Sequence, residues 1–285
     1  MFDHEFLAPM DLSQAVALLS EEAKQPVILA GGTILMARLN RRRPGRSVTL
    51  VYLGKLGLDY IRLRGGRVIV GACATLAEIA ASEEIRSCLP LLGRTCAEMA
   101  CPAVRNAATL GGNVANGARN ADGIPALMAL GAKVVVASTA GEEKMPVEEF
   151  VARPKKETLK NGGLIKEFDI PALGADDKWG WLKMKPRQGE GRSVVSAALR
   201  IKIEKGVCRD ARLVLGGMAP RAFVSPAAAA TLEGKALSPE LAEDIAPKAV
   251  AETDPLGDVR GSAWYRKKVA AVLVRRILAG LAGER

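Results

Sequence analysis

The sequence predicts a two-domain α+β protein, and three observations carry that prediction. Its 285 residues exceed what one hydrophobic core usually organises, which is roughly 100–200 residues. Short β-type runs and helical spacings are interleaved along the chain, so neither kind dominates. A Pro/Gly/Asp-rich passage, Pro171–Asp177, interrupts the pattern where a boundary between two units would fall.

Taken in order, Leu12–Leu19 has helical spacing (Leu12, Val16, Leu19), and Asp11 or Ser13 can cap its start. Pro26 opens an apolar strand, Val27–Ala30, that runs into Gly31-Gly32-Thr33. A helix-like stretch, Ile34–Leu39, follows. Strands are expected near Val48–Val51, Tyr60–Leu63 and Val68–Val70, the last two joined by the turn Arg64-Gly65-Gly66-Arg67. Helical segments around Leu76–Ala81 and Leu89–Ala100 lead to a second glycine element, Thr109-Leu110-Gly111-Gly112-Asn113. Asp122–Leu130 reads as a helix and Lys133–Ser138 as a strand. Strands near Gly163–Ile170 and Lys178–Met184 flank the boundary passage. Beyond it, strands near Val194–Glu204 and Ala211–Gly216 precede helices over Pro226–Leu232, Pro239–Ala251 and Ser262–Ala282, a second and smaller α+β unit.

Composition narrows the function. With 49% hydrophobic and 25% charged residues, the chain sits in the soluble globular class. No apolar run approaches the roughly 18 residues of a spanning helix. The first residues are acidic where a signal peptide would be basic and then apolar, so a cytoplasmic location and no membrane partner are expected. The net charge is +10, and the basic residues gather in Arg38–Arg46 and Arg260–Arg285. Aromatics make up only 4% of the chain, and the pair within those clusters, Trp264-Tyr265, does not alternate with the basic residues as a stacking platform would. Nucleic-acid binding is therefore not expected, and a solvated basic face or docking to an acidic partner or anionic ligand remains. The five cysteines include no C-x-x-C pair and read as reduced thiols, with no metal site. His4 is the single histidine, which removes Ser-His-Asp and Cys-His schemes. No general acid or base is assigned, so a cofactor is expected to supply any chemistry.

Neither a G-x-G-x-x-G nor a G-x-x-x-x-G-K-[ST] run occurs. What remains is a pair of strand-to-helix junctions, Ala30-Gly31-Gly32-Thr33 and Thr109-Leu110-Gly111-Gly112-Asn113. Glycine lets backbone amides approach an anion closely, and a helix start adds unpaired donors. Two such junctions facing one another would suit a pyrophosphate, although either alone also reads as a plain turn.

The stretch Ile28–Met36 resembles the first FAD loop of the flavoprotein (medium) subunits of the molybdenum hydroxylase family, which includes xanthine dehydrogenases and carbon monoxide dehydrogenase. Val104–Asn116 is similar to the family's R-N-x-x-T-[IL]-G-G-N element, and Ala121–Ala132 to its A-D-x-x-P-A-L-L-A-L-x-A run. Leu215-Gly216-Gly217-Met218-Ala219-Pro220, followed by Ala230–Lys235, resembles the C-terminal domain of the same proteins. The resemblance implies a vanillyl-alcohol-oxidase-type (PCMH-type) FAD-binding domain over residues 1–175, with subdomains of about 1–55 and 56–175. A CO dehydrogenase flavoprotein-like C-terminal domain would cover residues 176–285.

The implied cofactor is FAD. Its pyrophosphate would be held by the backbone of the first loop, from Leu29 through Ala30, Gly31, Gly32 and Thr33 to Ile34, and by that of Thr109, Gly111, Gly112 and Asn113. Asn116 matches a polar FAD contact, Asp122 the aspartate that bonds the adenosine ribose, and Lys183, with Arg187, a looser run near the flavin ring. The implied partners are a molybdopterin-binding large subunit and a [2Fe–2S] small subunit. Electrons would pass from the clusters through FAD to NAD+ or another acceptor. A stand-alone FAD oxidoreductase of the same superfamily and a flavin-free scaffold subunit are the alternatives. Ile34 replaces a common Asp, and Arg119-Asn120 replaces a frequent Ser-Pro, which could place a positive charge near the phosphates. Structural roles stay open for several residues. Asp122 could cap its helix, Asn113 and Asn116 could satisfy loop backbone, and Arg105 could be a surface residue or a loop organiser. Trp179 and Trp181 could line a domain interface.

Overall fold

The computed structural model describes residues 4–41, 48–154, 157, 159–187, 189 and 191–283. Its strands form three sheets. The first is parallel, with β3 (Thr49–Tyr52) between β1 (Glu5–Leu7) and β2 (Pro26–Leu29). Helix α1 (Leu12–Ser20) links β1 to β2, and its start is capped by Asp11, whose side chain accepts from the Gln14 amide. Helix α2 (Leu35–Leu39) follows the first glycine junction.

The second sheet is antiparallel. It runs in the order β4 (Ile61–Arg64), β5 (Arg67–Gly71), β8 (Leu164–Pro171), β6 (Lys133–Ser138) and β7 (Gly141–Pro146). Between β5 and β6 the chain makes six helices: α3 (Leu76–Ala81), α4 (Glu83–Cys88), α5 (Pro90–Glu98), α6 (Pro102–Arg105), α7 (Leu110–Asn116) and α8 (Gly123–Ala129). Their apolar sides bury against one face of this sheet. Val68, Val70, Val134, Phe168 and Ile170 meet Leu76, Ile79, Leu92 and Leu127 in the largest core. A single helix expected over Leu89–Ala100 is instead α5, with a separate helix before it. Ser82 caps α4, and Pro90 opens α5 at a position where a missing amide costs nothing.

The third sheet is antiparallel, in the order β12 (Phe223–Val224), β11 (Val207–Gly216), β10 (Val195–Glu204) and β9 (Asp177–Met184). The period-2 alternation of a strand sends its side chains to two faces. Ala197, Leu199 and Ile201 pack on the three C-terminal helices, Pro226–Leu232, Pro239–Ala251 and Ala263–Leu281, whereas Ala198 joins the core of the second sheet. Trp181 also reaches that first core, where its indole donates to Glu98 at 3.1 Å, and Trp179 packs beside it. Both tryptophans thus lie where the third sheet meets the helical layer. Arg266, placed by sequence in a basic cluster, is fully buried, because its guanidinium serves the Val194 and Gly217 carbonyls and Asp258. No helix of the described residues is long and apolar enough to cross a membrane.

Candidate functional site

A cleft of about 850 Å³ opens between the first sheet and the α6–α8 region, with both glycine junctions in its wall. That volume is within the range that holds small ligands. The junctions touch. A Cβ built on Gly31 would lie 1.7 Å from the Ala107 carbonyl oxygen, so only glycine allows this approach. Gly32 has φ +67°, a left-handed conformation that L side chains rarely adopt. Among the described residues, no acceptor meets the amides of Gly31, Gly32, Thr33 or Ile34. The first junction is therefore a strand-to-helix loop with available donors.

The second junction differs from its expected form. Thr109 follows the short helix α6 and a loop, and it meets Thr75 only in an isolated bridge. Both glycines lie inside α7. The amides of this first turn are engaged within the protein. Leu110 donates to the Ala74 carbonyl, Gly111 to that of Ala72, Gly112 to the Thr109 hydroxyl and Asn113 to the Thr109 carbonyl. Gly111 is glycine for packing, since a Cβ there would lie 2.6 Å from the Ala72 oxygen.

The residues expected at the site are mostly gathered here. Ala30, Gly31, Gly32, Thr33, Ile34, Thr109, Gly111, Gly112, Asn113, Asn116 and Asp122 all line the cleft. Leu29 and Lys183 do not. Leu29 ends β2 and packs beside Leu39 and Leu50. Lys183 is buried behind the wall, where its ammonium lies 2.8 Å from Asp122 Oδ2. The Ser193 hydroxyl donates to Asp122 Oδ1 at 2.6 Å. Asp122 precedes α8 but makes no side-chain cap, so its carboxylate belongs to this three-residue cluster. The Oδ1 of Asn113 is a buried acceptor with no protein donor among the described residues.

Neighbouring groups shape the walls. Arg105 organises the loop, since its Nη1 donates to the Met99 and Ala100 carbonyls at 2.9 and 3.1 Å and holds cleft residues 99–101. Arg119 does not line the cleft. It pairs with Asp258 at 2.5 Å, while Asn120 lines the cleft. Burial opposes ionisation of Asp258, but the Arg260 amide, Arg119 and Arg266 outweigh it and hold its carboxyl well below the usual range. In the cleft itself burial, with the Asp59 charge adding, pushes the Cys73 thiol up to about 11, which leaves it a neutral apolar lining group.

Sequence reasoning placed Arg38 in a basic cluster and assigned it no site role. It lines the cleft, and its Nη2 donates to Asn116 Oδ1 at 2.8 Å. The available signal was its spacing, one helical turn past Ile34. Residues 42–47 of the same cluster lie outside the described residues. Arg192 lines the cleft as well, and so does Arg187, which the sequence had placed near the ligand.

Comparison with known proteins agrees with this geometry. Residues 2–173 match the family model of the FAD binding domain in molybdopterin dehydrogenase, and residues 181–281 match the CO dehydrogenase flavoprotein C-terminal domain. The carbon monoxide dehydrogenase medium chain of Hydrogenophaga pseudoflava is 29% identical over 276 residues, covering 96% of this chain and 95% of that one. The 6-hydroxypseudooxynicotine dehydrogenase complex subunit alpha of Paenarthrobacter nicotinovorans is 30% identical over 276 residues, covering 96% and 93%. Among solved structures, a carbon monoxide dehydrogenase chain from Hydrogenophaga pseudoflava superposes with a TM-score of 0.90 at 29% identity over 96% of each chain. A chain of quinoline 2-oxidoreductase from Pseudomonas putida 86 also reaches a TM-score of 0.90, at 27% identity, covering 99% of this chain and 97% of that one.

Proposed function

The chain belongs to the FAD-binding medium subunits of the molybdenum hydroxylase family, and from that premise we propose that it relays electrons from the [2Fe–2S] clusters of a partner subunit through FAD to NAD+ or another acceptor. Its fold is the PCMH-type FAD-binding fold followed by the flavoprotein C-terminal domain, its cofactor is FAD, and it is an oxidoreductase subunit. The residues present fit that cofactor. The cleft is of ligand size, its first loop offers amides that meet no acceptor among the described residues, and the described cations that line it are three arginines against one carboxylate, itself paired with Lys183.

In this reading the amides of Gly31–Ile34 and the wall at Thr109–Asn113 hold the pyrophosphate. Asn113 and Asn116 offer polar contacts, and Asp122, fixed by Lys183 and Ser193, meets the ribose. When bound, FAD supplies the redox chemistry, and the protein binds it, orients it and excludes water. No residue is assigned the role of general acid or base. The partners are a molybdopterin-binding large subunit and a [2Fe–2S] small subunit, and the acceptor is NAD+ or another oxidant, in the cytoplasm. The division of labour follows residues 1–175, with subdomains of about 1–55 and 56–175, and residues 176–285.

The observation that carries the reading is the contact of Gly31 with Ala107, which faces the open amides of one junction toward the wall of the other. The test is an absorption spectrum after incubation with FAD and desalting, on the chain alone and on the co-expressed complex. Retained flavin bands, with FAD and not FMN released on denaturation, are expected. A colourless complex would sink the assignment.

A further inference from the structure

We propose that Arg38 is the cation that meets the two phosphates of the bound dinucleotide, with Asn116 holding its guanidinium in place. This inference rests on the FAD reading above. It starts from charge. The described groups lining the cleft include Arg38, Arg187 and Arg192, and the one carboxylate is Asp122, which Lys183 already neutralises at 2.8 Å. The balance of these described charges favours an anion, and FAD carries its charge on the pyrophosphate.

Position then selects Arg38 among the three. The amide of Arg38 donates to the Ile34 carbonyl, so it lies one helical turn beyond the loop whose amides meet no acceptor among the described residues. Cα–Cβ bonds on a helix tilt toward its N-terminus, which leans this side chain back over Gly32–Ile34. Its Nη2 reaches across to Asn116 Oδ1, at the end of α7. That bond ties the first junction to the second. Among the described residues Arg38 has no carboxylate partner. A guanidinium has five donors in a planar fork, so the bond to Asn116 leaves a pair for bidentate phosphate binding. Arg187 and Arg192 come instead from the segment that follows β9, outside both junctions.

The test compares FAD dissociation constants of the full-length chain, Arg38→Gln and Arg38→Lys by flavin fluorescence. Each is measured at ~0.1 M and ~1 M salt, between which the Debye length falls from about 10 Å to about 3 Å. Arg38→Gln should weaken binding about tenfold to a hundredfold in the lower salt. The gap should narrow in the higher salt, and Arg38→Lys should recover part of the loss. A glutamine variant with wild-type affinity overturns the proposal. So does an equal loss at both salt concentrations without rescue by lysine, which would mark a merely structural side chain. If the chain alone binds no FAD, the same comparison is made on the co-expressed complex, and a wild-type complex that binds none overturns the cofactor reading and this inference with it. Binding by wild type and Arg38→Gln alike overturns the role of Arg38 alone.

Discussion

Gly31-Gly32 and Gly111-Gly112 look alike in the sequence, yet their backbones do opposite things. The first pair sits in an open loop whose four successive amides, Gly31 to Ile34, meet no acceptor among the described residues. The second pair lies inside α7, where Leu110, Gly111, Gly112 and Asn113 all donate within the protein. Glycine is needed at both places for a different reason at each. At Gly32 it supplies a left-handed φ of +67° beside the cleft. At Gly111 it lets α7 press on the Ala72 backbone. The lesson is that a repeated Gly-Gly marks close backbone approach and does not say whether the approaching group is a ligand or the protein itself. One junction offers donors, and the other builds the wall that faces them.

If the second side is scaffold, breaking it should cost stability before it costs affinity. The largest effect is expected at Lys183, whose ammonium and the Asp122 carboxylate are both nearly sealed from solvent. Lys183→Met leaves that carboxylate without its ion-pair partner and should lower unfolding stability by about 3–5 kcal/mol. Urea denaturation of the flavin-free chain measures it, and Asp122→Asn added to the same protein should restore part of the loss. A single variant as stable as wild type would mean that the pair does not anchor the wall.

The next contrast sets Gly31→Ala against Gly111→Ala. Each forces a methyl group into backbone, at 1.7 Å from the Ala107 oxygen in one case and 2.6 Å from the Ala72 oxygen in the other. Both should lose about 1–3 kcal/mol. Flavin retention after desalting separates them. Gly31→Ala parts the two junctions and should release FAD, whereas the folded fraction of Gly111→Ala should keep it. Gly32→Val should also release FAD, because a β-branched residue resists φ +67° by about 1–2 kcal/mol. Equal flavin loss from both alanine variants would erase the comparison.

These differences also mark what the sequence could show. Periodicity placed α1, β6, β10 and the last helices closely, since each buries a regular apolar face, whereas β11 begins four residues before its expected start and β12 was not expected. It missed β7, Gly141–Pro146, where four charged or small residues face solvent on a sheet edge and leave no alternation to read. It missed β1, three residues long and mostly exposed, for the same reason. The second junction was read as strand-to-helix like the first, yet both its glycines lie inside α7, although each disfavours a helix by about 1 kcal/mol. Packing on Ala72 and the Thr109 cap override that preference. Within the site, eleven of the anticipated residues line the cleft because they are contiguous with the glycine runs. Arg38 and the partners of Asp122 were harder to read, since Lys183 on β9 and Ser193 in the segment before β10 lie 61 and 71 residues away, and separations of that kind carry no local pattern.

The smallest test is the most direct on the closed junction. The Thr109 hydroxyl accepts the Gly112 amide at 3.0 Å and so occupies a donor that a phosphate would otherwise use. Thr109→Ala removes this N-cap and should destabilise the chain by about 1 kcal/mol, while Thr109→Ser keeps it. If the second junction is scaffold, the freed Gly112 amide gains no role and FAD affinity should change less than twofold. If FAD affinity instead rises as stability falls, the amide is competing between hydroxyl and phosphate. The two junctions would then differ only in degree, with Thr109 setting how far the second one closes. Measuring both quantities on one preparation, by thermal melting without flavin and by titration with it, separates these cases, because the cap acts on both folded forms and competition acts only on the liganded one.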